Sequence, residues 1–100
     1  MIYLTQLIYI NEGQEAVFNQ FEDVAIPTIL KYKGRLVLRI RPTGDTFVES
    51  NIERPYEVHL VEFESEDDFR DFLNDEDRKR FLHLKEQSIR AVVLIKGTQL

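Results

Sequence analysis

The stretch Tyr56-Glu57-Val58-His59-Leu60-Val61-Glu62-Phe63-Glu64-Ser65-Glu66-Asp67-Asp68 decides the fold, because its periodicity changes at Ser65. Residues 56–63 carry β-branched and aromatic side chains in a short run, which predicts a strand. Ser65 with Asp68 three positions later is a capping box, and Phe69, Phe72 and Leu73 follow at helical spacing. Asn74 and Asp75 then end that short helix and cap another, with Phe81, Leu82 and Leu84 as its core candidates. Toward the N-terminus, residues 35–41 alternate, placing Leu36, Leu38 and Ile40 on one face and Arg35, Val37, Arg39 and Arg41 on the other. Between these strands, residues 42–55 hold the turn chemistry of Thr43-Gly44-Asp45, with a short extended piece expected near Thr46 to Glu49.

The flanks complete the pattern. Residues 2–10 read as strand one, and residues 91–95 as strand four. Asn11 as N-cap, with Gln14 at the third helical position, precedes Val17, Phe18, Phe21, Val24, Ala25, Ile29 and Tyr32 at helical spacing. This predicts a helix over residues 12–32, kinked by Pro27 and stopped by Gly34. The order is βαββαβ. It predicts an α+β, ferredoxin-like domain with a four-stranded antiparallel sheet and both helices on one face, since each crossover takes the right-handed path.

One hundred residues make one domain spanning the whole chain, 1–100. Absence of cysteine excludes disulfides, thiolate catalysis and iron–sulfur ligation and fits a reducing cytoplasm. The first basic residue is Lys31, so a signal peptide lacks its positive region, and no segment reaches membrane-helix length. A net charge of −5 argues against nucleic acid. The third strand also lacks the basic and glycine positions of the RNA-stacking signature, although RNA-recognition motifs share this element order. In strands one and four both alternating sets are apolar, so a monomer would expose a contiguous patch. A homodimer with two sheets packed face to face covers it.

Four residues are candidates for ligand binding. His59 shares a strand face with Glu57, Val61 and Phe63, and because Phe63 precedes the helix cap, that face is expected under the second helix, where a pocket would lie. Glu57 can orient the imidazole. Arg39, in the middle of the row Arg35, Arg39 and Arg41, could hold a carboxylate or phosphate, while the row as a whole also guards an edge strand. Asp23 lies beside Pro27, whose missing donor frees the Asp23 carbonyl. Glu57-x-His59 lacks a third ligand and His83 sits apart, so no metal site and no cofactor are predicted. The seven carboxylates from Glu66 to Asp77 surround helix starts and read as a solvated face.

The βαββαβ order, with Tyr32-Lys33-Gly34-Arg35 closing the first helix, Pro55 before strand three and Val61-Glu62-Phe63-Glu64-Ser65 leading into the second helix, resembles the dimeric α+β barrel superfamily. The chain is most similar to its small stand-alone domains of unknown function, and more distantly to antibiotic-biosynthesis monooxygenases and muconolactone-isomerase-like proteins. The resemblance implies a homodimer with a pocket between sheet and helices for a small, partly apolar organic molecule, and cofactor-free oxidation or isomerisation. The alternative is a non-catalytic dimeric regulatory or scaffold module with a closed core.

Overall fold

The computed structural model describes residues 1–100. Four strands, β1 (Ile2–Ile10), β2 (Gly34–Ile40), β3 (Glu57–Phe63) and β4 (Ile89–Gly97), form one antiparallel sheet in the order β2-β3-β1-β4. The helices are α1 (Glu15–Ile29), α2 (Glu66–Leu73), α3 (Glu76–Arg80) and α4 (Leu82–Ser88). This is the predicted ferredoxin-like order, with the second helical segment broken in three. No helix is long and apolar enough to cross a membrane.

The breaks follow from capping. Ser65 Oγ accepts from the Asp68 amide at the start of α2, and Asp75 Oδ1 accepts from the Arg78 amide at the start of α3. Tyr32 donates from its hydroxyl to the other Asp75 oxygen at 2.6 Å, tying the segment after α1 to the start of α3. That bond pushes the Tyr32 phenol up to about 12, with burial adding to it, and lowers the Asp75 carboxyl.

The ends of the first helix differ from expectation. Gly13, at φ +80°, makes a tight turn, so α1 starts at Glu15 and Asn11 does not cap it. Asn11 instead donates from its side chain to the Gln87 carbonyl and from its amide to Ser88, tying β1 to the end of α4. After α1 a single 3₁₀ turn, Leu30–Tyr32, ends in left-handed Lys33 at φ 58°, so Gly34 is not the helix stop. Gly34 opens β2, where a Cβ would lie 2.6 Å from the Phe63 ring and 2.7 Å from Ile29. Close packing requires glycine there. The extended piece near Thr46 is a 3₁₀ turn, Gly44–Thr46, closed by reciprocal Thr43 and Thr46 bonds.

One irregularity in β2 redistributes its side chains. Leu36 pairs with Val61, but Leu38 pairs with Leu60 and Arg39 with His59, so Val37 is bulged out of register. The predicted row of arginines on one face is therefore split. Arg35 stays on the open face and donates to Glu62 at 2.6 Å, whereas Arg39 moves to the helix side with His59. Leu38 and Ile40 move the opposite way, to the open face, and are exposed.

The helices cover one face. Leu4, Ile29, Val61, Phe63 and Phe72 form the main buried cluster, with the Phe63 and Phe72 rings 5.5 Å apart. Phe18 stacks edge-on against Tyr56 near the other end of β3. The molecule is only 16 Å deep along its shortest axis, consistent with one sheet and one helical layer. The uncovered face carries Leu7, Leu38, Ile40, Val58, Leu60, Val93 and Ile95, an apolar surface with the Arg35–Glu62 pair at one side.

Candidate functional site

Between sheet and helices lies a cavity of about 300 Å³. Its floor is sheet: Leu4 and Gln6 from β1, His59 and Val61 from β3, Val92 and Leu94 from β4. Its roof comes from all four helices, including Glu22, Ile26, Phe72, Arg78 and Lys85. Although Val92 and Leu94 face the helices, they are 38% and 49% exposed, so solvent reaches the cavity along β4.

His59 lies under the helices as predicted, in the sheet's interior, paired with Gln6 on one side and Arg39 on the other. Its Nε2 is 2.5 Å from Glu57 Oε2. Glu57 is fully buried and also accepts from Arg39 Nε at 2.9 Å and from Arg41 Nη2 at 2.6 Å. Burial alone would raise its carboxyl, yet the bonds from His59, Arg39 and Arg41 outweigh burial and hold it down at about 2. Glu57 is thus a carboxylate throughout the neutral range. The Nε2–H of His59 must donate to it, which leaves Nδ1 as the ring nitrogen with no protein partner. A histidine oriented by an ionised carboxylate is the arrangement that general bases use. Arg39 is committed to Glu57 and does not line the cavity.

Asp23 is not at the cavity. It is exposed, whereas Glu22, one residue and about 100° around the helix earlier, is buried and lines the roof. The signal was available in the sequence: Phe18, Glu22, Ala25 and Ile29 form a continuous stripe at spacings of four, three and four, so a carboxylate interrupts the apolar face. Burial raises the Glu22 carboxyl, opposed by the nearby charges of His59 and Arg39. Gln6, Arg78 and Lys85, also unmarked in the sequence reading, complete the polar lining. The Asp75 cap places Arg78 beneath α3, with its guanidinium 5.2 Å from the Phe72 ring and 5.9 Å from Phe21. His83 is exposed on α4, and no group of three or more histidine and acidic side chains gathers in metal-binding geometry.

No family model matches the sequence, and no curated protein matches it. Solved structures do match. A protein of unknown function from Rhodopseudomonas palustris superposes with a TM-score of 0.82 at 13% identity, over 99% of this chain and 82% of that one. A dimeric protein of unknown function and ferredoxin-like fold from Bacteroides fragilis gives a TM-score of 0.68 at 12% identity, over 96% and 93% of the two chains. A dabb family protein with a ferredoxin-like fold from Mesorhizobium loti gives 0.70 at 12% identity, over 99% and 96%. At these identities the likeness is one of fold, and the chain has the ferredoxin-like α+β fold of these proteins.

Proposed function

We propose that the protein is a homodimer in which each subunit binds a small, partly apolar organic molecule in the cavity between sheet and helices, with His59 exchanging a proton with the bound molecule. The observation that carries this reading is the cavity itself: apolar walls around a histidine whose Nε2 is bonded to a carboxylate held ionised by two arginines. A cavity of about 300 Å³ is within the range that accepts small ligands, and it favours binding over a regulatory module with a closed core.

The chemistry this geometry supports best is a proton shift. The Nδ1 lone pair takes a proton from a carbon next to a carbonyl, the imidazolium is stabilised by Glu57, and the proton returns at a second position, giving an isomer without oxidant or cofactor. A cofactor-free oxidation by dioxygen would begin with the same deprotonation. In this reading the second copy covers the open sheet face, which is supported by the 45% and 52% exposure of Val93 and Ile95 beside Leu38 and Ile40 and by the dimeric state of the Bacteroides fragilis neighbour.

Two experiments test these halves. The neutral fluorophore N-phenyl-1-naphthylamine should brighten with the wild type and lose affinity in Leu94→Trp, which fills the β4 wall; no binding by the wild type rejects the cavity as a ligand site. Sedimentation equilibrium at micromolar concentration should give a dimer that Val93→Asp dissociates. A folded 11.9 kDa wild-type monomer would reject the assembly.

A further inference from the structure

Resting on the reading of the cavity as a ligand site, we propose that its occupant is a small carboxylic acid with an apolar body, its carboxylate seated against Arg78 and Lys85. Both cations line the cavity, and neither is in an ion pair with any carboxylate of the chain. Arg78 is more than nine-tenths buried, and its Nε has no hydrogen-bond partner. Such an orphan donor is costly in a folded protein and points to a partner supplied from outside the chain.

The way the guanidinium is used names the chemistry. Arg78 Nη1 donates to the Leu73 carbonyl at 3.3 Å, leaving the edge formed by Nε and Nη2 without a protein acceptor. That edge carries two parallel N–H groups, the geometry that pairs with both oxygens of a carboxylate. Lys85 adds a second cation. Burial disfavours its charge, and the like charge of Arg78 disfavours it further, so an anion between them relieves both. Glu22, the single carboxylate on the cavity wall, favours the charge on both cations but forms an ion pair with neither, and burial pushes its own carboxyl up. The rest of the wall is mostly apolar, with Ile26, Ile89 and Leu94 available to a hydrocarbon or aromatic body.

The test uses the full chain and three matched pairs of probes: benzoate and benzamide, 1-naphthoate and 1-naphthamide, octanoate and octanamide. Titrations are followed by the methyl resonances of Ile26 and Ile89. At least one carboxylate should bind on the order of 10- to 100-fold more tightly than its amide, the effect of a charge-assisted hydrogen bond in a desolvated site. Lys85→Met should reduce carboxylate affinity roughly tenfold and leave amide affinity within about twofold. Arg78→Gln should do the same, with Arg78→Lys restoring part of the loss. Should Arg78→Gln fail to fold, Lys85→Met, on a half-buried position, decides the matter alone. Equal binding of acid and amide, or an acid preference untouched by Lys85→Met, overturns the carboxylate assignment while leaving the cavity a ligand site. Binding by none of the six probes overturns the carboxylate assignment, and if the neutral fluorophore also gives no response the ligand site itself is removed.

Discussion

Replacing Glu57 with Gln should destabilise the protein at neutral pH and have little effect in acid. Glu57 is fully buried and accepts from His59, Arg39 and Arg41, so the amide, with one oxygen and no charge, cannot satisfy all three. A carboxyl held at about 2 in the folded state, against 4.5 for the free group, stabilises the fold at neutral pH by about 3 kcal/mol. The two arginine side chains are 31% and 47% exposed and can regain water when the carboxylate goes, which lowers the expected loss to about 2 to 3 kcal/mol. Because the folded-state value is depressed, this stability is present above the unfolded value of 4.5 and is lost as pH falls toward 2. Urea unfolding of both proteins at one fixed concentration should therefore show a gap of about 2 to 3 kcal/mol at pH 7 that shrinks below about 1 kcal/mol by pH 2.5. A gap that persists unchanged at pH 2.5, or no gap at pH 7, would refute the charge cluster as described.

Glu22→Gln should act in the opposite sense. Burial raises the Glu22 carboxyl, so its ionisation opposes folding as pH rises above the unfolded value; the variant should be more stable than wild type at pH 7 and indistinguishable from it below the usual carboxylate range, as read by urea unfolding at both pH values. Gly34→Ala should cost about 1 to 3 kcal/mol, because the new methyl would sit 2.6 Å from the Phe63 ring in a packed core; a thermal midpoint equal to that of wild type would contradict the close packing at the start of β2.

What the sequence disclosed, and what it withheld, follows from the range of the signals. Ser65 and Asp75 are local capping signals, and both act where they were predicted to act. Alternation does not distinguish the faces of β1 or β3, and the placement of His59 followed from Phe63 alone, which precedes the Ser65 cap and shares the face of His59. The bulge at Val37 leaves no local mark. Unbroken alternation in residues 35–41 predicts one arginine face, and only pairing with β3 shows that Arg39 and Arg41 serve Glu57 while Arg35 serves Glu62. Gly34 was legible as a special position, but for the wrong reason: the left-handed residue is Lys33, and glycine is needed against Phe63, a residue distant in sequence. Glu22 was visible as a charge within an apolar stripe, whereas attention to the Pro27 backbone favoured its exposed neighbour Asp23. Arg78 and Lys85 sit in a strongly charged segment where a solvated face is the ordinary outcome. Their burial depends on how α3 and α4 pack over the sheet.

A ligand lying between sheet and helices should give intermolecular nuclear Overhauser effects between bound 1-naphthoate and the methyl groups on one face of β4. Leu94 lines the cavity, and Val93 and Ile95 point to the opposite face of the same strand. Contacts are expected from the naphthyl protons to Leu94, Ile26 and Ile89, and none to Val93 or Ile95. Contacts to Val93 and Ile95 with none to Ile26 would place the molecule on the open sheet face and contradict the site.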